Sequence, residues 1–263
     1  MVFNSIFFIF CFLPVFMLIY YLVPGKLRNL LLFLGSLIFY AWGEPVYVIL
    51  MLFSSIFNYY MGTELERLYY DDRKQKINLI FSIIINLAVL VFFKYYGFLL
   101  NTIGGIIGIH IPHPELSLPI GLSFYTFRNL SYLFDIYLSK VSAQQNFLTF
   151  AVYSTMFPYT SAGPIVRYTD IETQLKQRTI NISKFGIGAE LFVKGLAKKV
   201  LLADNLSVLY SSICGHPQMS VFTSWLGILA YTMQLYFDFS GYSDMAILSL
   251  IHISEPTRHS LIS

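Results

Sequence analysis

The stretch LAYTMQLYFDFSGYSDMAI, residues 229–247, begins as an apolar run of the kind that crosses a membrane. It then carries Asp238, Ser240, Tyr242 and Asp244 within about two helical turns, around a central glycine. Carboxylates at membrane depth are costly and normally face the protein interior, where they pair or take part in function. The stretch therefore predicts either a functional site or a tightly paired one.

The composition of the chain is that of a membrane protein. Of its 263 residues 56% are hydrophobic and 12% are charged, whereas a soluble domain averages about 25% charged residues. We therefore predict an all-α, polytopic helical membrane protein. The net charge of +3 is small and dispersed, so no nucleic-acid partner is expected. Cys11 and Cys214 are too isolated to predict a disulfide framework or a zinc site.

Apolar runs separated by charged or proline-containing turns predict the main helices. The first run lacks the basic region and cleavage site of a signal peptide, so a retained span is expected. The charged run Glu64–Lys76 predicts a solvated loop, and the glycine-rich run Phe98–Ile111 predicts an interfacial or re-entrant piece. Lys184–Asn205 is amphipathic, which fits either a span with a basic end or a helix on the membrane surface. The predicted apolar helices are Ser5–Val23, Leu30–Trp42, Pro45–Met61, Ile77–Tyr96 and Phe222–Phe239.

Two further segments carry groups that cannot face lipid. Leu116–Tyr137 is apolar but contains Arg128 and Asp135, and a central arginine costs roughly 2.5 kcal/mol or more in the bilayer. Phe147–Ala162 is short and leads into a run with two prolines and a glycine that ends at Arg167. Such a run predicts a broken helix, which is tolerated inside protein or beside a cavity.

The end of the chain has a different character. Residues 248–258, LSLIHISEPTR, match one reading frame of a widely used transposase sequencing adapter residue for residue. We hypothesise that residues 248–263 are translated adapter and that the natural protein is truncated at about Ile247, so that residues 1–247 are a partial membrane domain. His252 and His259 are accordingly given no role. The other histidines, His110, His113 and His216, lie near proline or glycine and are expected in loops.

Four blocks follow one another in a recognisable order: LPIGLSFYTF (118–127), FPYTSAGPIVR (157–167), GLAKKVLLAD (195–204) and YFDFSGYSDMA (236–246). Together they resemble the membrane-bound O-acyltransferase family, in the branch that includes alginate and peptidoglycan O-acetyltransferases. The resemblance covers residues 1–247 and implies a helical membrane fold with short or re-entrant helices, incomplete at its C-terminus. Arg128 stands where related proteins usually have glutamine. The family's catalytic histidine lies in a Trp-His block downstream of Asp244, and no residue of this chain inherits its role.

The resemblance implies transfer of an acyl group, most simply acetyl, from a thioester donor to hydroxyls of a cell-envelope or secreted polysaccharide. Acetyl-CoA or an acyl-carrier thioester would be the donor substrate, with no bound cofactor. The implied setting is a multi-pass protein of the inner or plasma membrane, in contact with lipid. The implied partners are an acyl-carrier protein or an extracytoplasmic acyltransferase. The truncated chain itself is expected to be inactive.

The residues alone also allow two other classes of membrane protein. A polytopic transporter or channel would use broken helices and intramembrane charges equally naturally, although no internal repeat relates the two halves of the chain. A non-catalytic membrane scaffold for envelope assembly is the other alternative.

Six residues are candidates to line the substrate tunnel, and none is assigned a catalytic or metal-binding role. The alternative for the two aspartates is that they cap helix ends or pair with Arg128, Arg167 or Lys194. The alternative for the two hydroxyl side chains is hydrogen bonding between neighbouring helices. The candidates are Asp238, Ser240, Tyr242, Asp244, Arg128 and Arg167.

Overall fold

The computed structural model describes residues 5–109, 112, 117–160, 163, 166–176, 182–216 and 220–253. These residues are largely helical and contain no β-strand, so the expected all-α fold is confirmed. The helices are α1 (Leu13–Leu22), α2 (Arg28–Gly43), α3 (Val48–Arg67), α4 (Asp72–Ile107), α5 (Leu122–Tyr137), α6 (Phe147–Thr155), α7 (Phe157–Thr160), α8 (Tyr168–Lys176), α9 (Ile182–Ala197), α10 (Asp204–Cys214) and α11 (Val221–Ile253).

The chain divides into two compact units, which we name by the helices that they hold. The α2–α7 unit comprises residues 24–161 and 165–172. The α9–α11 unit comprises residues 1–23, 162–164 and 173–263.

Two helices of the α2–α7 unit, α3 and α4, are long and apolar enough to cross a membrane. Their outward faces are apolar as well, since Ile49, Phe53 and Ile56 of α3 are each more than half exposed. Ile77 and Ile84 continue this pattern on α4. Exposed apolar stripes of this kind are unusual in soluble proteins and suit contact with lipid.

The connection between α3 and α4 is shorter than predicted. Glu64–Lys76 is not a loop, because α3 continues to Arg67 and α4 begins at Asp72. Glutamate, arginine and lysine are good helix formers, so a charged run can extend two helix ends. Asp71 caps α4 by accepting a hydrogen bond from the backbone N–H of Lys74 at 3.1 Å, and it pairs with the Lys74 ammonium at 2.9 Å. These contacts with Lys74 lower the pKa of Asp71.

Helix α4 also extends past its predicted end at Tyr96. The stretch expected as an interfacial or re-entrant piece is helical up to Ile107, and the helix ends at Gly108, whose φ of 75° lies in the left-handed region. Its 36 residues give a length of about 54 Å. That length exceeds a hydrocarbon core of about 30 Å, so α4 is long enough to project beyond it.

Polar side chains connect the helices inside the α2–α7 unit. Asn58 of α3 and Asn86 of α4 exchange two hydrogen bonds, at 3.0 and 2.9 Å. Gly62 lets α3 approach α5 so closely that an added Cβ would lie 2.8 Å from the ring of Tyr132. Interhelical amide bonds and small residues at contacts are typical of helix packing in membranes.

The predicted broken helix is confirmed, but the break lies at Met156, just before the run 157–167 that predicts it. Helix α6 ends at Thr155, Met156 adopts an extended ψ of 119°, and the short helix α7 follows. The end of the predicted segment, residues 161 and 162, lies outside the described residues.

In the α9–α11 unit, helix α9 packs along α11, and α10 packs against α11 as well. The predicted amphipathic segment Lys184–Asn205 is helical, and the helix continues to Cys214 through a π-helical stretch, Lys198–Ala203. The predicted last span, Phe222–Phe239, ends too early, because α11 includes the polar motif and runs on to Ile253.

The proposed adapter tail falls partly within α11, whose helical backbone includes residues 248–253, while residues 254–263 lie outside the described part. A helical backbone does not bear on the origin of these residues. Of the histidines expected in loops, His216 follows α10, whereas His110 and His113 lie outside the described residues.

Candidate functional site

Two glycines bring α9 and α11 into backbone contact. A Cβ atom added at Gly195 would lie 2.5 Å from the carbonyl oxygen of Gly241. A Cβ added at Gly241 would lie 2.7 Å from the carbonyl oxygen of Gly195. Real Cβ atoms do not approach so closely, so each position requires glycine unless the helices separate. Membrane helices commonly gain close packing in this way at small residues.

One ion pair lies beside this contact. The Lys198 ammonium is 2.7 Å from a carboxylate oxygen of Asp244 and donates to the Ser240 hydroxyl at 3.1 Å. Lys198 follows Gly195 by three residues, and Asp244 follows Gly241 by three. Residues three apart share a helix face, so both charges lie on the faces that carry the glycines.

A second ion pair lies on the other side of the Gly241 position. The Lys199 ammonium is 2.8 Å from Asp238 and 2.9 Å from Asp204, so one lysine bridges two carboxylates. Asp238 precedes Gly241 by three residues. Both lysines belong to the π-helical stretch that begins at Lys198, and such stretches occur frequently at functional sites.

These five charged side chains and Ser240 form what we call the charge cluster. The side chains of Lys199 and Asp244 are 21% exposed each, whereas those of Lys198, Asp204 and Asp238 are 37%, 46% and 47% exposed, so the pairs are only partly shielded. Pairing with ammonium groups offsets part of the cost of placing carboxylates on an apolar helix. No group of three His, Cys, Asp or Glu side chains in the described part of the chain is arranged to hold a metal. The arrangement suits fixing α11 against α9 better than proton transfer, because every carboxylate is already engaged by a lysine.

Three of the predicted site residues, Asp238, Ser240 and Asp244, are thus brought together. Tyr242 lies in the same helix and is half-buried. Helix pairing, one of the two alternatives for the aspartates, is what the contacts show. Lining of a substrate tunnel stays a prediction.

The aspartates pair with Lys198 and Lys199, so the predicted pairing with Lys194 is wrong. Lys194 pairs with Glu190, one turn away in its own helix, at 2.6 Å. Pairing with Arg128 or Arg167, which belong to the α2–α7 unit, stays a prediction. Arg128 is buried and donates to backbone carbonyls, including that of Tyr159 at 2.6 Å, and Arg167 is exposed.

Three members of the charge cluster, Lys198, Lys199 and Asp204, were not predicted as site residues. The sequence contains a pattern that points to Lys198. Gly-Leu-Ala-Lys at 195–198 and Gly-Tyr-Ser-Asp at 241–244 both place a charge three residues after a glycine, with opposite signs. That shared spacing matches two helices that meet at the glycines and pair their charges one turn further on.

The chain is similar to several bacterial proteins over 94% of its length. It is 41% identical over 251 residues to "Probable alginate O-acetylase AlgI" of Pseudomonas aeruginosa and 39% identical over 251 residues to the protein of the same name from Azotobacter vinelandii. It is 33% identical over 282 residues to the peptidoglycan O-acetyltransferase of Helicobacter pylori. The aligned parts are 48%, 50% and 53% of these proteins. The chain therefore spans about half the length of the curated relatives it matches.

The sequence profile of the membrane-bound O-acyltransferase family (MBOAT) matches residues 45–254. The match covers most of the chain, including the glycine contact and the charge cluster. With the helical fold, the apolar outward faces of α3 and α4 and the close helix contacts, it agrees with the resemblance carried by the four sequence blocks. The chain belongs to the membrane-bound O-acyltransferase family.

Proposed function

We propose that the chain is the N-terminal part of a membrane O-acyltransferase. The complete enzyme would transfer an acyl group, most simply acetyl, from a thioester to hydroxyl groups of a cell-envelope or secreted polysaccharide. The observation that carries the proposal is family membership together with relatives named as alginate O-acetylases and a peptidoglycan O-acetyltransferase.

In this reaction a general base takes the proton of the acceptor hydroxyl, whose oxygen attacks the thioester carbonyl, and the thiol leaves. The base would be the family's histidine, located beyond residue 247. Helices around the site would exclude water, which otherwise competes as an acceptor for the acyl group. The donor would be acetyl-CoA or an acyl-carrier thioester, and the enzyme would need no bound cofactor.

Within this enzyme the charge cluster would hold α11 against α9 and its π-helical continuation. Each carboxylate contacts a lysine ammonium within 3 Å, so its role would be positional. Lining of the substrate tunnel is also part of the proposal, for Asp238, Ser240, Tyr242, Asp244, Arg128 and Arg167.

The enzyme would cross the inner or plasma membrane several times, since the family is membrane-bound and α3 and α4 are long and apolar enough to span. Its partners would be the polysaccharide and either an acyl-carrier protein or an extracytoplasmic acyltransferase. We further propose that the 263-residue chain alone is inactive and that residues 248–263 derive from adapter DNA. Codons in the source DNA that differ from the adapter sequence would refute the proposed adapter origin of residues 248–263.

The function is tested by recovering the uninterrupted gene and expressing it beside the 263-residue chain. The hosts would be an alginate producer and a peptidoglycan-acetylating bacterium, each lacking its own transferase. We expect the uninterrupted gene to restore ester-linked acetate on one polymer, and the short chain to restore none. A well-expressed uninterrupted protein that acetylates neither polymer would contradict the proposed transfer, and an active short chain would contradict the missing base.

A further inference from the structure

Arg128 of α5 is almost completely buried, at 1% exposure. Its guanidinium lies 5.3 Å from the centroid of the Tyr159 ring and donates to three backbone carbonyls. Its Nη1 donates to the carbonyl oxygens of Tyr153 at 3.1 Å and Ser154 at 3.2 Å. Its Nη2 donates to the carbonyl oxygen of Tyr159 at 2.6 Å. All three acceptors lie at the break between α6 and α7, so one side chain connects both sides of the break.

Two of these carbonyls lose their helical partners for identifiable reasons. In a continuous α-helix the Tyr153 carbonyl would accept from the N–H of residue 157, and the Ser154 carbonyl from that of residue 158. The Phe157 N–H instead donates to the Ser36 hydroxyl at 3.1 Å. Pro158 has no N–H to donate. Pro158 and the contact with Ser36 of α2 therefore leave both carbonyls without their helical N–H donors.

Two further carbonyls of the break, those of Thr155 and Met156, accept hydrogen bonds from within the segment. The Thr160 hydroxyl lies 2.9 Å from the carbonyl oxygens of both Thr155 and Met156, and its single proton can be shared between them. The Tyr159 N–H also donates to the Met156 carbonyl, at 3.0 Å. In the water-poor interior of a membrane protein an unmet carbonyl is costly. Arg128 therefore donates to the two carbonyls that lack a helical N–H donor because of Ser36 and Pro158.

We propose that Arg128 is a positioning residue that holds the α6–α7 break by donating the hydrogen bonds that Ser36 and Pro158 withdraw from it. The inference goes beyond the proposed function and does not depend on it. A glutamine amide has two N–H donors and no charge, so substitution by glutamine can test donation at this position. The proposal assigns the role to hydrogen-bond donation, and the contact of the guanidinium with the Tyr159 ring makes charge the competing explanation that the experiment must separate.

Hydrogen–deuterium exchange on the whole chain in lipid nanodiscs tests this role with three substitutions. Arg128→Met keeps an unbranched side chain without donors, Arg128→Gln has two donors without charge, and Arg128→Lys has charge and donors in a different geometry. In R128M we expect the amides of Tyr153–Thr160 to exchange roughly tenfold faster or more, since lost bonds to buried carbonyls expose the segment. Exchange in α9 and α11 should not change, and R128Q should restore most of the protection.

Two outcomes would overturn the proposal. Unchanged protection in R128M would mean that side-chain volume is sufficient, and rescue by R128K but not by R128Q would mean that charge is the essential property. If R128M cannot be purified in folded form, the comparison of R128Q with R128K decides between donation and charge.

A second variant tests the cause assigned to the missing bonds. Pro158→Ala returns an N–H to residue 158, so it can serve the Ser154 carbonyl. Protection of the break should therefore fall less from P158A to R128M/P158A than from the parent to R128M. Equal losses in the two backgrounds would contradict the link between Arg128 and Pro158.

Discussion

Gly195 and Gly241 face each other across α9 and α11 so closely that a methyl group on either would collide with the carbonyl oxygen of the other, at 2.5 and 2.7 Å. An ion pair lies beside this contact on each side, one to Asp238 and one to Asp244. The separation of the two helices and the pairing of their charges are therefore coupled.

Replacement of either glycine by alanine should separate the helices. We expect G195A and G241A each to lower the free energy of unfolding by about 1–3 kcal/mol, as overpacking does in other interiors. Denaturant titration in detergent measures the effect. The matched control is G186A in the same helix, where an added Cβ meets nothing within 4 Å and helix propensity rises by about 1 kcal/mol. Equal loss in G186A and G195A would contradict the close contact.

The Lys198–Asp244 pair should show coupling in a double-mutant cycle. D244N and K198M each leave one half-buried charge without its partner, so each should cost about 1–3 kcal/mol. The double variant should cost less than the sum of the two singles. As a control, E190Q and K194M remove an exposed pair within α9 and should leave stability nearly unchanged. Additive losses at 198 and 244 would argue against a direct pair.

The Asn58–Asn86 amide pair predicts that the double substitution lowers the free energy of unfolding by less than the two single substitutions together. N58L leaves the buried Asn86 amide without its reciprocal partner, and we expect a loss of about 1–2 kcal/mol. N58L/N86L removes both polar groups and should cost less than the two single substitutions together. The conservative I84V, at a lipid-facing position of α4, serves as the control in the same unfolding assay. A double variant as costly as the sum would contradict reciprocal bonding.

Asp71 should give α4 a pH-dependent cap. Contacts with Lys74 lower the pKa of Asp71, so its contribution to stability is present above the unfolded value of about 3.9 and is lost as pH falls through the folded value. The difference in Tm between the parent and D71A should therefore be largest near neutral pH and shrink at acidic pH. D71N, which keeps a capping acceptor without a titrating charge, should not show this pH-dependent loss. A gap between parent and D71A that widens on acidification would contradict the assignment.

The membrane class and the α6–α7 break could be predicted from sequence because both depend on local properties. Long apolar runs predict spans, and Pro158 removes a helical donor wherever the segment lies. Helix ends were less predictable, since the charged run Glu64–Lys76 is polar enough for a loop and also well suited to extending two helices.

The partners of Asp238 and Asp244 depend on which helix faces meet, and that is a tertiary property. A carboxylate in an apolar segment indicates that a cation must be near, but Lys194, Lys198 and Lys199 are all close in sequence. The contact of the two glycines selects Lys198 and Lys199 and leaves Lys194 on an outer face. The shared Gly-x-x-charge spacing favours Lys198 as the partner of Asp244.

We propose that the carboxylates of the 238–244 motif act by pairing with lysines. The most direct test is acetyl transfer by the uninterrupted protein carrying D244N, K198M or both, measured together with its unfolding free energy. We predict that both single variants lose stability and activity, and that the double variant recovers part of each. A double variant that regains stability but stays as inactive as D244N would contradict the claim, because the carboxylate would then be needed for the reaction itself.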